Sequence, residues 1–194
     1  MSQYNPDIHH RRSIRLRDYD YSKEGLYFIT LCVHKQLTML GEIVDDEMKL
    51  NDKGIITKIC WDEIPSHFPN VALCEFTIMP NHIHGIINIT ATTATVGVEN
   101  FQPLQYTSQP LQQPSQPMPP QRNEFQNIIP RSIGSIVLGF KIGTTKQIGY
   151  AIWQRNYYEH IIRDDGDYHR IAEYIANNPA KWNDDRFYRE DMNL

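Results

Sequence analysis

The stretch VALCEFTIMPNHIHGIINI, residues 71–89, decides how this chain folds. In its first part Ala72, Cys74, Phe76 and Ile78 occupy alternate positions, as a strand with one apolar face requires. The tight break Met79-Pro80-Asn81 follows, and HIHGIINI (82–89) alternates again. Ile83, Ile87 and Ile89 share a core-facing side, while His82 and His84 project from the other. Both imidazoles can therefore reach one metal ion. Two surface histidines on an exposed sheet face would have the same spacing. A zinc set would need a further strong ligand, and no Cys is placed nearby to supply it.

Outward from this stretch, LYFITLCV (26–33) reads as another buried or half-buried strand. LTMLGEIV (37–44) turns at Asp45-Asp46-Glu47 into a short return around MKL (48–50), a hairpin signature. Asn51 or Asp52 then caps a helix whose apolar face is Ile55, Ile56, Ile59 and Cys60, ended by Pro65 and Pro69. From Ser132, the spacing of Ile133, Ile136, Val137 and Phe140 predicts a helix over 132–147. YYEHIIR (157–163) reads as a strand, and Asp167 opens a last helix stopped by Pro179. The order predicts an α+β fold, helices packed on an antiparallel sheet.

Between these halves, seven of the twelve prolines fall in 101–130, within a Gln/Pro-rich tract. Such a tract buries too little apolar surface to fold, so 91–130 is expected to be a disordered linker insert. A basic N-terminal arm (1–24) and one domain made of 25–90 and 131–185 complete the expected layout. Within 194 residues, one such domain is a sizeable core. No apolar run spans a bilayer and the N-terminus has no secretory pattern, so a cytoplasmic location without membrane contact is expected. Cys32, Cys60 and Cys74 are isolated and odd in number, which argues for reduced buried thiols rather than a disulfide or zinc framework.

The net charge of −4 argues mildly against nucleic-acid binding, but its distribution argues otherwise. Arg11, Arg12, Arg15 and Arg17 crowd the arm, and Arg131, Lys141, Lys146, Arg155 and Arg163 face a single acid, Glu159, in 131–163. Basic segments on an acidic background can form a phosphate-tracking groove. In WQRNYYEH (153–160), Trp153, Tyr157 and Tyr158 alternate with cations as base-stacking sites do, and equally as a half-buried strand does.

Tyr174 and Asn178 stand at i and i+4, on one face of the last helix. A phenol needs a metal or cation to act as a nucleophile near neutral pH, and a carboxamide one turn away could complete a His-His-Asn ligand set. The same spacing suits a ring packed beside Ile171 and Ile175 with Asn178 as a helix cap. Tyr158 and His160 form a rival nucleophile–base pair.

Three runs, IMPNHIHGII, WQRNYYEHIIRD and RIAEYIANNP, together with the head RRSIRLRDYDYSKEGLYFITLCVHKQ, resemble the REP-associated tyrosine transposases of the HUH single-strand nuclease superfamily. The resemblance covers about 11–90 and 131–185. It implies a ferredoxin-like sheet with His82 and His84 on a central strand, Tyr174 as nucleophile, and Asn178 as third ligand, where related transposases more often carry Gln. It further implies Mg2+ or Mn2+ and cleavage of single-stranded DNA at palindromic hairpins through a 5′-phosphotyrosine. DNA contacts are expected from Arg11, Arg12, Arg15, Arg17, Lys141, Lys146, Trp153, Arg155 and Tyr158, on a monomer or homodimer. Two other functions fit the residues alone: a metal-dependent phosphodiester hydrolase without a covalent tyrosine, and a non-catalytic single-strand nucleic-acid-binding module.

Overall fold

The computed structural model describes residues 19–91 and 129–188. The arm arginines Arg11, Arg12, Arg15 and Arg17 and most of the Gln/Pro tract lie outside them.

Strands β1 (Gly25–Cys32), β4 (Val71–Met79), β5 (His82–Ile89) and β6 (Tyr158–Ile162) form one antiparallel sheet in the order β4-β5-β1-β6. A separate hairpin pairs β2 (Gly41–Val44) with β3 (Glu47–Leu50). Helix α1 (Asp52–Asp62) and the single turn α2 (Ile64–His67) come before β4, and α3 (Ile133–Ile148) comes before β6. Setting the hairpin aside, the order is β-α-β-β-α-β, the split arrangement expected of a ferredoxin-like sheet. Helix α4 (Asp165–Asn177) follows β6. Among the described residues, no helix is long and apolar enough to cross a membrane.

The two sheet faces have different roles. One packs Tyr27, Ile29, Leu31, Ile83, Ile87 and Ile89 against Trp61 of α1 and Ile133, Ile136 and Phe140 of α3. The opposite face carries a smaller cluster, in which Phe28, Ile86 and Ile162 meet Ile171 and Ile175 of α4. Alternation along β5 thus sends its isoleucines in both directions, which makes this strand the spine of the molecule.

The helix boundaries follow from local capping chemistry. The Asn51 side chain accepts hydrogen bonds from the N–H groups of Lys53 and Gly54, at 3.0 and 3.1 Å, and so opens α1. Ser132 caps α3, which closes at Gly149 with φ 93°, a conformation that glycine adopts without a Cβ clash. Helix α4 begins two residues earlier than the sequence suggests, because Asp164 accepts from the N–H of Asp167. Pro65 does not end α1 but sits in the first turn of α2, where its missing N–H costs nothing.

Two expectations about faces are corrected. Ile55 and Ile59 are exposed, and α1 instead buries Gly54, Thr57, Cys60 and Trp61. A Cβ on Gly54 would lie 2.1 Å from the Leu40 carbonyl oxygen, so this bare side is the one that lets the helix settle. In β4 the register shifts between Leu73 and Phe76, so alternation is interrupted. Leu73, Phe76 and Ile78 pack in the large core, while Cys74 joins the α4 side.

Gly85 lets α1 approach the sheet: a Cβ there would lie 2.4 Å from the Trp61 ring, which stacks on Phe76 at 4.3 Å. Trp61→Ala is therefore expected to cost about 3–5 kcal/mol by chemical denaturation, whereas Ile59→Glu stays within about 0.5 kcal/mol. Similar losses for both would place α1 in the wrong rotation.

Candidate metal and tyrosine site

His82 and His84 project from β5 to the α4 face and are fully buried, which excludes a pair of surface histidines. Their Nε2 atoms lie 3.0 Å apart. Each outer nitrogen has a partner. His82 Nδ1 is 2.7 Å from Asn81 Oδ1, and His84 Nδ1 is 2.8 Å from the buried hydroxyl of Thr30, its cross-strand neighbour on β1.

These contacts determine the chemistry. The Asn81 amide donates to the carbonyls of Gln36 and Phe187, at 3.2 and 2.8 Å, so its oxygen must face His82. His82 Nδ1 then donates to that oxygen, leaving a lone pair on Nε2. Thr30 can donate or accept, so His84 is free to present a lone pair as well. Two such lone pairs at 3.0 Å repel unless a proton or a cation lies between them.

Burial pushes the His82 pKa down to about 4 and holds that of His84 well below the ordinary value, so both rings are neutral near pH 7. Neutral imidazole is the metal-binding form. Asp185 supplies the third donor: its carboxylate and the two imidazoles offer ligand atoms within 4.8 Å of one another, a spacing that can hold a metal ion. Phe187 N–H donates to Asp185 Oδ1 at 2.7 Å and Asn178 Nδ2 donates to Oδ2 at 3.1 Å, which fixes the carboxylate.

Tyr174 completes the cluster. Its hydroxyl lies 3.1 Å from His84 Nε2, and its ring stands edge-on to Phe28, which itself stacks on His84 at 5.4 Å. The ring is 41% exposed, so Tyr174 is not a core residue. Burial of its hydroxyl end first, and then Asp185, raise the pKa of this phenol. Asn178 caps α4 and is buried, and its Oδ1 has no hydrogen-bond partner. One end of the amide holds Asp185 while the other keeps an unused acceptor.

The other sequence candidates are dispersed. Trp153 is a core residue; its indole N–H donates to Thr144 at 2.7 Å and its ring packs on Phe140, so its faces are covered by protein rather than open to bases. Lys141 donates to the carbonyls of Gln154 and Arg155, and burial lowers its pKa to about 8. Lys146 is exposed on α3, the helix of the other sheet face, and Arg155 is exposed in the loop before β6. Tyr158 touches Phe28 and the Arg186 guanidinium, not the histidines, and the base envisaged for it, His160, is bound to Asp167 at 2.6 Å.

Phe28, Tyr158, Tyr174, Asp185 and Arg186 share a cleft of about 430 Å3. Asp185 and Arg186 escaped the sequence reading, because nothing in DDRF (184–187) marks it as returning to β5. Asn81 and Thr30 were also missed. Asn81 could have been found from its place directly before the histidines.

No protein-family model matches the chain. An uncharacterized Haemophilus influenzae protein is 46% identical over 192 residues, 96% of this chain and 98% of that one, and the two belong to one family. A second H. influenzae protein, provisionally named a REP-associated tyrosine transposase, is 26% identical across 84% of this chain and 74% of its own length. A solved REP-associated tyrosine transposase, bound to a REP hairpin, shares the fold with a TM-score of 0.51 and 20% identity, over 94% of this chain and 74% of that one.

In metal-free protein the histidine pair should make stability pH-dependent. An unfolded His82 titrates near 6.5 but the folded one near 4, so the unfolded chain binds the proton first. Stability is complete above about pH 6.5 and declines as pH falls toward 4. Thermal melts in chelator across that range check this, and a flat profile would contradict the buried neutral pair.

Proposed function

We propose that this chain, a relative of the REP-associated tyrosine transposases in sequence and in fold, is a metal-dependent single-strand DNA endonuclease and strand transferase that uses Tyr174 as its nucleophile. The observation that carries this reading is the Tyr174 hydroxyl 3.1 Å from His84, at the open side of two buried imidazoles whose nitrogens face each other.

His82, His84 and Asp185 would hold a divalent ion, Mg2+ or Mn2+, and Asn178, whose amide nitrogen bonds Asp185 and whose Oδ1 is unsatisfied, is the proposed further ligand. When bound, the ion supplies positive charge that polarises a phosphoryl oxygen and eases ionisation of the neighbouring phenol. Two imidazoles favour Mn2+ over Mg2+.

The residues do the rest. Tyr174 oxygen attacks phosphorus, the bond to the 3′-oxygen breaks, and the products are a 5′-phosphotyrosine and a 3′-hydroxyl protonated from solvent in the cleft. The exchange conserves a phosphodiester, so another 3′-hydroxyl can reverse it and join strands without a nucleotide cofactor. Phe28, packed against both Tyr174 and His84, holds the nucleophile at the histidine pair. Arg186 brings a guanidinium to the cleft for the phosphate, and the exposed Tyr158 ring offers an unpaired base a stacking surface. Arg155 and the arm residues Arg11, Arg12, Arg15 and Arg17 are proposed contacts for the flanking hairpin.

End-labelled hairpin DNA with single-stranded flanks, incubated with Mn2+, should give a denaturation-resistant adduct in wild type and in Tyr158→Phe, and none in Tyr174→Phe. An adduct that survives in Tyr174→Phe would move the nucleophile elsewhere. No adduct in wild type would return the site to a hydrolase or a binding module. Asn81→Ala, which releases the His82 tautomer, should weaken Mn2+ binding by roughly 10–100-fold in calorimetric titration; unchanged affinity would exclude Asn81 as the group that orients a His82 ligand.

A further inference from the structure

His160, Asp167 and Arg170 lie apart from the metal-binding cluster and have no part in the chemistry above. Asp167 stands in the first turn of α4, where its carboxylate also faces the positive end of the helix. One of its oxygens is 2.6 Å from His160 Nε2 and the other is bound by the Arg170 guanidinium. Asp167 is largely covered, whereas 70% of the Arg170 side chain and 38% of the His160 side chain remain exposed. The acid thus fixes the Arg170 guanidinium and the His160 ring and leaves the outer Arg170 donors open.

Their position relative to the nucleophile follows from two regular spacings. Arg170 precedes Tyr174 by four residues, so both lie on one face of α4 about 6 Å apart along its axis. His160 on β6 is the cross-strand neighbour of Phe28, the ring against which Tyr174 stands. Arg170 and His160 line the same cleft as Tyr174 and Arg186. The donor acid of that cleft, Asp185, sits at the histidine pair, at the other end of α4 from Asp167.

We infer that Arg170, held by an Asp167 that His160 also binds, forms a subsite for the backbone phosphate next to the one that faces Tyr174. One helical turn is the scale of a single internucleotide step, so a strand whose scissile phosphate sits at Tyr174 brings its neighbouring phosphate to Arg170. A guanidinium clamped at one nitrogen keeps its remaining donors for a phosphate and loses little freedom on binding. The ligand class is therefore a polynucleotide chain with at least two consecutive phosphodiesters. The inference rests on the DNA-cleaving reading of Tyr174, which it sharpens.

Short thymidine oligonucleotides test the subsite without knowledge of the target sequence. Wild-type protein, followed by NMR shift titration, should bind the trinucleotide, with two phosphates, about tenfold more tightly than the dinucleotide, with one. Replacing one trinucleotide phosphate by a neutral methylphosphonate should remove that preference. Arg170→Gln should bind both lengths equally, be indifferent to the methylphosphonate, and lower the dependence of log affinity on log salt for longer single strands by about one. An Arg170→Gln protein that keeps the full preference overturns the subsite, as does a wild type that binds both lengths equally or neither. The hairpin adduct at Tyr174 reports separately: an adduct without a length preference removes the subsite alone, and no adduct removes the nuclease reading.

Discussion

Two imidazoles without exposed surface, their nitrogens 3.0 Å apart, are the constraint around which this molecule is arranged. Neutral rings tolerate such burial only if every outer nitrogen finds a partner. Asn81 and Thr30 meet that demand from the turn before β5 and from β1. The pair also needs an extended backbone, to put residues two apart on one face, and a cover of aromatic rings, to keep water out. Phe28, Trp182 and Phe187 provide that cover.

The two faces of the sheet divide the work. The α1 and α3 face holds most of the buried apolar surface and requires close approaches such as Gly85 under Trp61. The α4 face has a small cluster and gives the rest of its area to polar groups. Tyr168 anchors α4 there by donating to the Glu75 carboxylate, an interaction that also raises its own pKa to about 12. A helix held by few apolar residues and by polar bonds such as Tyr168–Glu75 and His160–Asp167 keeps Tyr174 and Arg170 on its exposed side. Most of the buried apolar packing thus lies on the side away from the histidines.

What could be read from the chain was whatever depends on local periodicity and capping. The alternation of β5, the Asn51 and Ser132 caps, the hairpin, and the shared face of Tyr174 and Asn178 are all short-range, and the structure has them. The reading failed where tertiary contact overrides pattern. Ile55 and Ile59 looked like a core face, but the bare side of Gly54 decided how α1 sits. The irregularity between Leu73 and Phe76 exists only relative to β5. Trp153, read equally as a stacking residue or a packed strand ring, turned out to have Thr144 and Phe140 waiting for it inside. Asp185 was invisible because its meaning comes entirely from a segment 100 residues away in the chain.

Asn81 spans that separation directly. Its single amide group holds the Gln36 carbonyl, the Phe187 carbonyl and the ring of His82. In the order of synthesis, residues 185–187 follow every strand of the sheet, so the Asp185 carboxylate and the Phe187 part of the cover reach the histidines last. A chain still being made, or cut short ahead of Asp185, carries Tyr174 without a complete donor set beside it. The His-His-Asp set therefore comes together only once residues 185–187 have been made, with the carboxylate the last of its three members to arrive.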